Sequence, residues 1–158
     1  MKILYAALYL AALGILAHPV GLILPRRWFD PAKFPFRAYK WENGGKAYEK
    51  LGVKAWKDRV PDMSKIMGDM VKKKMSTAST SAGLDTLITE TCIAEAIHFA
   101  LIVLSFGMLF FWHDAWAYIV LALYNILGNV PFIIIQRYNR PRLVALGARR
   151  AGRRAAAQ

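Results

Sequence analysis

The sequence predicts an all-α integral membrane protein with three transmembrane helices and a basic, amphipathic cytoplasmic segment between the first helix and the second. Its 158 residues are enough for one domain, and we expect a single membrane domain that covers the whole chain. Hydrophobic residues make up 56% of the chain although its net charge is +12. These two values are compatible because charged and apolar residues occupy different stretches of the sequence.

Three apolar stretches are each long enough to cross a bilayer. They cover about residues 3–24, 93–112 and 115–135, close to the roughly 20 residues that a transmembrane helix needs. The second stretch contains one acidic residue, Glu95, and the other two contain no Asp, Glu, Lys or Arg. A cleaved signal peptide is the alternative for the first stretch. A transmembrane helix is favoured because the chain start has only Lys2 as a basic residue, and cleavage would place a basic loop outside.

The distribution of basic residues predicts the orientation. Of the 22 lysines and arginines, 14 fall in residues 26–90 and 7 in residues 137–158, whereas the connection near His113 has none. By the positive-inside rule, the loop of residues 25–90 and the basic tail of residues 137–158 are cytoplasmic, and the N-terminus is outside. We expect a multi-pass protein of the bacterial cytoplasmic membrane. The charge follows the topology, so lipid or an anionic co-substrate explains it better than nucleic acid.

The first part of the predicted cytoplasmic loop combines aromatic and charged residues. Residues 34–37, Phe-Pro-Phe-Arg, predict an extended chain that lies on the membrane surface. Gly44 and Gly45 indicate a turn. Aromatic and charged side chains alternate over residues 41–62, where they could contact a sugar and a phosphate or form an interfacial helix.

Further along, three helical features are predicted. Residues 63–75 have the spacing of an amphipathic helix with a methionine face, which suits an anionic membrane surface. Asp85 is expected to cap the second transmembrane helix, and Asp114 can cap the third.

The second transmembrane helix has a polar face that contains Glu90, Glu95 and His98. Ionisable side chains in a membrane helix are costly unless they have partners, which favours a functional role. A carboxylate can orient a histidine and raise its basicity, and the histidine could then remove a proton from a hydroxyl group. A metal site is the alternative, since Glu and His three residues apart suit carboxylate-bridged metals. Only one such pair is present, so we predict no metal.

The third apolar stretch ends in a dense polar cluster within residues 129–142, which read NVPFIIIQRYNRPR. Pro141 is expected to restrict the preceding residues to a turn or extended path. The cluster is suited to an anionic or hydroxyl-rich ligand. Its side chains are those of Gln136, Arg137, Tyr138, Asn139, Arg140 and Arg142.

Regular helix geometry predicts which side chains of the second and third helices lie at the same depth. Both helices rise about 1.5 Å per residue, so a turn centred near Asp114 places His98 level with Val130, next to Asn129. It also places Glu90 near the arginine cluster, where Arg137 or Arg140 would pair with its carboxylate. We therefore expect a buried polar network at the cytoplasmic end.

Three motifs carry a resemblance to a known family. The string YNILGNVPFIIIQRYNRPRL, the segment ITET…AE..H and the segment GK.YEK…WKD resemble the bacterial glycosyl-4,4'-diaponeurosporenoate acyltransferases. The similarity runs from about Pro25 to the basic tail. It covers Glu42, Gly45, Lys46, Trp56, Lys57, Glu90, Thr91, Glu95, His98, Asn129, Pro131, Gln136, Arg137, Tyr138, Asn139, Arg140, Pro141 and Arg142. The resemblance implies transfer of a fatty acyl chain to a hydroxyl group of a membrane glycolipid.

The resemblance and the polar residues together give the expected site. His98 would be the general base, oriented by Glu95, and Glu90 would be part of the same catalytic group. We expect acyl-CoA as co-substrate and no other cofactor. The residues expected to bind the donor or substrate are Arg137, Tyr138, Asn139, Arg140, Arg142, Gln136, Asn129, Lys46, Trp56 and Lys57.

The expected partners are the acyl donor and a membrane lipid or glycolipid acceptor. Three helices make a thin enclosure, so homo-oligomerisation is plausible. Two alternatives stay open: an acyltransferase that uses a different lipid acceptor, and a non-catalytic membrane subunit that binds lipid. In the second case, the polar stripes would only hold helices together.

Overall fold

The computed structural model describes residues 1–60 and 80–157 of the chain. The expected methionine-faced helix at residues 63–75 lies outside this part of the chain. Within the described residues all regular structure is helical and no strand is present, so the predicted all-α class is confirmed. The α-helices are α1 (Lys2–Ile23), α2 (Val53–Trp56), α3 (Ser81–Ser105), α4 (Ala115–Gly128) and α5 (Val130–Ala155), and 3₁₀ segments cover Arg26–Trp28, Lys40–Leu51 and Phe106–Phe110.

Three helical stretches in the described chain are long and apolar enough to cross a membrane. They are Lys2–Ile23, Ser81–Phe110 and Ala115–Ala155. Large apolar side chains are exposed on these stretches, for example Ile15 and Leu127. A face of this kind is stable against lipid, and the helices satisfy their own backbone hydrogen bonds there. The prediction of three membrane-spanning helices is confirmed.

The second spanning helix begins earlier than expected. Asp85 was the predicted cap, but α3 starts at Ser81, and the Thr80 hydroxyl accepts a hydrogen bond from the Gly83 backbone N–H at 3.0 Å. Thr80 thus satisfies one of the free N–H groups of the first turn, which is the usual role of an N-cap residue. The helix therefore begins four residues before the predicted cap.

Pro141 does not end the third span, contrary to the prediction. Helix α5 continues through Pro141 to Ala155. A proline in a helix removes one backbone hydrogen bond, at a cost of about 3 kcal/mol. Side chains on either side of it, Arg140 and Arg142, are held by contacts described below, and such tertiary contacts offset the local cost.

The chain forms two compact units, and the first contains Met1–Arg26 and Ile93–Ile133. Its apolar core is formed by Ala6, Leu10, Met108, Trp112, Ala117 and Leu121. The Tyr9 hydroxyl donates a hydrogen bond to the Leu104 carbonyl at 2.8 Å. Asp114 caps α4, as predicted, since its carboxylate accepts hydrogen bonds from the backbone N–H groups of Trp116 and Ala117.

The second unit contains Arg27–Cys92 and Ile134–Gln158. Tyr48, Val53 and Tyr138 form its buried core. The predicted turn at Gly44 and Gly45 is present, and both glycines have positive φ. A β-carbon on Gly45 would lie 2.8 Å from the Tyr138 carbonyl oxygen, so only glycine allows this close approach.

Residues 34–37 form a turn rather than the expected extended chain. The Arg37 backbone N–H donates to the Lys33 carbonyl at 2.8 Å. Phe36 is buried against Phe29, with ring centroids 5.6 Å apart. Burial of this ring, which the local sequence pattern does not reveal, explains the difference.

Candidate active site

His98 lies on α3 in the first unit and is half-buried. Its Nδ1 atom is 3.1 Å from the Asn129 side-chain oxygen. Its ring stacks on Phe132, with centroids 4.5 Å apart and planes 7° from parallel. The predicted position of His98 beside Asn129 is confirmed. These two contacts fix both the position and the plane of the imidazole.

A line of buried polar side chains extends from His98 within the first unit. The Asn129 amide nitrogen lies 3.3 Å from the Asn125 side-chain oxygen, and the Asn125 amide nitrogen lies 3.0 Å from the Ser105 hydroxyl. All three side chains are at least nine-tenths buried. Polar side chains of the third span are thus in contact with polar side chains of α3.

Glu95 lies one helical turn before His98 on α3 and is 9% exposed. The Nδ1 contact of His98 is made by Asn129, so the predicted orientation of His98 by Glu95 stays a prediction. Cys92 is fully buried on the same helix, with its sulfur 3.6 Å from the Ile88 carbonyl oxygen. Burial of this kind is typical of a structural cysteine.

In the second unit, Arg137 forms an ion pair with Glu42. Its Nε atom donates to one carboxylate oxygen at 2.5 Å, and one of its terminal nitrogens donates to the other at 3.0 Å. The same guanidinium donates to the backbone carbonyls of Pro35 at 3.2 Å and Arg37 at 3.1 Å. This forked, two-bond geometry with a carboxylate is the strongest kind of side-chain hydrogen bonding.

Glu42 is 2% exposed and accepts two more hydrogen bonds. The Tyr48 hydroxyl donates at 2.5 Å and the Tyr39 backbone N–H at 2.6 Å. Burial alone would raise the pKa of Glu42, but the bonds from Arg137, Tyr48 and Tyr39 outweigh it and lower the pKa below its ordinary value. Burial and the adjacent carboxylate raise the pKa of Tyr48. Glu42 is therefore a charged anchor.

Arg140 is 3% exposed in the second unit. Its Nε atom donates to the Thr91 hydroxyl at 2.8 Å, and a terminal nitrogen donates to the Thr91 carbonyl at 3.0 Å. Another terminal nitrogen donates to the Phe36 carbonyl at 2.6 Å. Thr91 follows Glu90, so the predicted closeness of this part of α3 to the arginine cluster is confirmed. The pairing of Glu90 with Arg137 or Arg140 stays a prediction.

Arg142 forms an ion pair with Glu49, which also accepts a hydrogen bond from Lys54 at 2.9 Å. Its guanidinium lies over the ring of the buried Tyr138, 3.6 Å from the centroid. Together with Arg137 and Arg140, it connects α5 to residues 35–49. The three arginines expected to bind a donor thus have protein partners.

The other residues expected to bind donor or substrate have different surroundings in the second unit. Lys46 is exposed, and Lys57 lies 3.1 Å from the exposed Asp58. Trp56 packs against the core and donates from its indole N–H to the Leu51 carbonyl at 2.9 Å. Gln136 and Asn139 are half-buried.

A cavity of about 250 Å³ lies beside the arginines in the second unit. Its wall is mostly apolar, and the charged groups among its described lining residues are those of Glu42, Arg137 and Arg140. The lining residues are Pro31, Phe36, Ala38, Glu42, Arg137, Arg140, Pro141, Val144, Ala145 and Ala148. A cavity of this composition favours a hydrocarbon chain over a polar ligand.

The sequence pattern places Glu42 only among the charged residues of 41–62 that could contact a ligand, and it does not predict the pairing of Glu42 with Arg137. One feature of the sequence could have indicated a structural role: Glu42 lies three positions after Tyr39 and just before a glycine turn. In the structure, Glu42 forms a capping box with Tyr39 at the start of the Lys40–Leu51 segment.

The sequence of this chain is similar to that of a known family of proteins. A family model described as glycosyl-4,4'-diaponeurosporenoate acyltransferase matches residues 25–149. The protein of that name from Staphylococcus aureus strain bovine RF122 / ET3-1 is 29% identical over 128 residues, which are 80% of this chain and 76% of the relative. Those from strains MRSA252 and N315 are 29% and 28% identical over the same shares. No solved structure matches the chain significantly.

The fold and the buried polar residues define a membrane-embedded, all-α protein with an oriented histidine in its apolar part. Because the family model covers far more than half of it, the chain belongs to the glycosyl-4,4'-diaponeurosporenoate acyltransferase family. The chain is therefore an acyltransferase, and the resemblance seen in its motifs is confirmed.

Proposed function

We propose that this protein transfers a fatty acyl chain from acyl-CoA to a hydroxyl group of a membrane glycolipid, as in the acylation of a glycosylated carotenoid. Family membership supports the reaction class, and the names of the relatives support the acceptor. The three apolar spans suit an acceptor that is itself dissolved in the bilayer. A lipid acceptor other than a carotenoid is the alternative.

The assignment of His98 as the general base rests on its fixed position between Asn129 and Phe132. A general base must be held within hydrogen-bond reach of the proton that it removes. An imidazole with one nitrogen bonded and its ring stacked has lost most of its freedom before any substrate binds. Preorganisation of this kind is what a base in a low-dielectric site requires.

In the proposed reaction, the acyl group passes directly from the thioester of acyl-CoA to the acceptor hydroxyl group. The His98 imidazole takes the proton of the acceptor hydroxyl while the hydroxyl oxygen attacks the thioester carbonyl carbon. The tetrahedral intermediate collapses as the carbon–sulfur bond breaks, and the CoA thiolate leaves with its electron pair. The imidazolium then returns the proton to that sulfur, giving the ester and free CoA.

The arginine cluster has a structural role in this proposal. Arg137 and Arg140 are bound to protein groups, so they hold α5 and residues 35–42 in place. The exposed Lys46 and the partly exposed Lys57 are better placed to contact the phosphates of the donor. The apolar cavity beside the arginines is suited to a hydrocarbon chain.

The proposal includes an orientation of the protein in the membrane. The N-terminus lies outside and the basic segments lie in the cytoplasm of a bacterial cell, where acyl-CoA is available. The excess of basic residues in residues 26–90 and 137–158 supports this orientation.

A reconstituted assay tests the reaction. Purified protein in lipid nanodiscs is given acyl-CoA with a labelled chain, a glycosylated carotenoid and a glycolipid that is not a carotenoid, and the lipids are examined by mass spectrometry. We expect an acceptor heavier by one acyl group and the release of one free CoA. If the carotenoid stays unmodified while another glycolipid becomes acylated, the alternative acceptor is correct. If no lipid is acylated, the proposed reaction is wrong.

A further inference from the structure

We propose that residues 27–41, the segment that follows the first span, dock on the surface of an anionic lipid bilayer. Three exposed aromatic rings of the segment enter the headgroup region, and four exposed basic side chains contact lipid phosphates. This contact involves the second unit alone and is independent of the proposed reaction. The exposure, the charge and the rigid attachment of the segment all favour it.

The aromatic side chains of this segment differ sharply in burial. Phe29 and Phe36 are buried against each other inside the second unit. Trp28, Phe34 and Trp41 are instead 63%, 76% and 64% exposed. Single exposed apolar side chains are common on protein surfaces, but three large rings within 14 residues of a charged segment indicate a contact surface.

The charged residues of the segment give it an excess of positive charge. Its four basic residues, Arg27, Lys33, Arg37 and Lys40, are all exposed. Its one acidic residue, Asp30, accepts a backbone hydrogen bond at 2.8 Å and lies 3.5 Å from Lys33. Basic side chains near a bilayer surface attract anionic phospholipids, and exposed rings among them add apolar contact. An anionic bilayer therefore matches both properties of the segment.

The arginines of α5 hold this segment in a fixed conformation. Arg137 and Arg140 donate hydrogen bonds to the three successive backbone carbonyls of residues 35–37, at 3.2, 2.6 and 3.1 Å. Phe34 is thus exposed next to a backbone that is firmly attached to the second unit. A surface that is preorganised in this way loses little conformational entropy when it binds.

The segment begins where the first span ends, so the bilayer surface is close to it along the chain. Trp28 lies five positions after Ile23, the last residue of α1. The Arg26 guanidinium donates to the Leu22 carbonyl at 2.8 Å, and the 3₁₀ segment Arg26–Trp28 rises only about 2 Å per residue. Tryptophan and basic residues at the end of a span are typical of the membrane–water interface.

A second copy of the chain fits this segment less well than a bilayer does. A symmetric interface brings the same patch of two copies face to face. Four cations of one copy would then lie against four of the other, with one carboxylate on each side. Like charges brought together in this way oppose association, whereas an anionic bilayer has the opposite sign.

Spin labels measure the contact in the full-length protein. Phe34→Cys carries the label, and Ala55→Cys, at an exposed position of α2 in the same unit, is the control. The native Cys92 is fully buried, and labelling of the unmodified protein gives the background. In nanodiscs that contain phosphatidylglycerol, we expect the label at residue 34 to collide more often with oxygen, which concentrates in lipid. We also expect it to collide less often with a neutral, water-soluble nickel chelate than the label at residue 55 does.

Two results overturn the proposal. A label at residue 34 that is as accessible to the nickel chelate as the label at residue 55 shows that the segment lies in water. Dipolar broadening between labels on two copies shows that a second chain covers the segment instead. Trp28→Cys and Trp41→Cys give the same test if Phe34→Cys does not fold, as judged by gel filtration.

The charge of the lipid tests the role of the basic side chains. We expect the protection of the label at residue 34 from the nickel chelate to weaken in nanodiscs of phosphatidylcholine alone. It should also weaken when Lys33→Gln and Lys40→Gln are combined. Lys50→Gln combined with Arg59→Gln removes the same charge from exposed positions outside the segment and should keep the protection. Equal protection in both lipids overturns the assignment to anionic lipid.

Discussion

The carboxylate of Glu42 and the guanidinium of Arg137 form a two-bond ion pair although 95 positions separate them in the sequence. Glu42 is 2% exposed, and the side chain of Arg137 is 11% exposed. Removal of one partner from a buried pair leaves the other charge uncompensated, which typically costs about 3–5 kcal/mol. This pair is therefore a main connection between α5 and the segment that precedes α2.

The first prediction concerns the strength of this pair. We expect Glu42→Gln to lower the free energy of unfolding by about 3–5 kcal/mol, because Arg137 loses its charged partner. Thermal unfolding in detergent measures the change. Lys33→Gln is the matched control, since it removes a 3.5 Å ion pair with Asp30 in which Lys33 is 79% exposed. Such exposed pairs contribute about 1 kcal/mol or less. Equal effects of the two substitutions would contradict the prediction.

The second prediction follows from the lowered pKa of Glu42. A carboxyl group whose folded-state pKa is lowered stabilises the fold in full above its unfolded-state pKa, here 4.5. That contribution is lost as the pH falls through the lower folded-state pKa. We therefore expect the stability difference between wild type and Glu42→Gln to be constant from pH 7 to about 5 and to shrink below pH 4.5. Denaturation at a series of pH values measures it, and a difference that grows in acid contradicts the assigned sign.

The third prediction compares two neighbouring glycines. Gly44→Ala and Gly45→Ala both place a β-carbon at positive φ, which costs roughly 1–2 kcal/mol. At Gly44 the new atom meets nothing within 4 Å among the described residues, whereas at Gly45 it meets the Tyr138 backbone oxygen at 2.8 Å. We expect Gly45→Ala to lower the thermal unfolding temperature clearly more than Gly44→Ala. Similar temperatures for both variants would show that the close approach to Tyr138 is wrong.

The fourth prediction concerns the apolar cavity in the second unit. Ala145 lines it, and Ala145→Phe would fill part of its volume of about 250 Å³. If the cavity holds part of the acyl chain, this variant should prefer shorter donors, seen as a change in the ratio of kcat/KM between long-chain and short-chain acyl-CoA. Ala151→Phe, at an exposed position of α5 outside the cavity lining, is the control. An unchanged ratio in Ala145→Phe would show that the cavity does not bind the acyl chain.

Regular features of the sequence predicted much of the fold and one half of the candidate site. The three spans follow from the length of the apolar stretches. The contact between His98 and Asn129 follows from the equal rise of two helices joined by a short turn. These predictions succeeded because helix geometry repeats from residue to residue, so a position can be computed from a sequence interval alone.

The remaining features depend on tertiary contacts that no local pattern encodes. Residues 34–37 turn because Phe36 is buried, and α5 continues through Pro141 because the arginines beside it are held by distant partners. The pairing of Glu42 with Arg137 depends on the irregular path of the chain after α1. For the same reason, the arginines resembled a site for an anionic ligand in the sequence, whereas the structure gives them protein partners.

A comparison of two histidine variants tests whether His98 is the base for acyl transfer. Acyl transfer by His98→Ala and by His113→Ala is measured in nanodiscs under single-turnover conditions, with equal amounts of folded protein confirmed by gel filtration. His113 is exposed in the connection before α4 and has no role in the proposed reaction. We predict that His98→Ala slows transfer by about 10²–10⁴-fold while His113→Ala keeps the wild-type rate. A wild-type rate in His98→Ala would show that His98 is not the base.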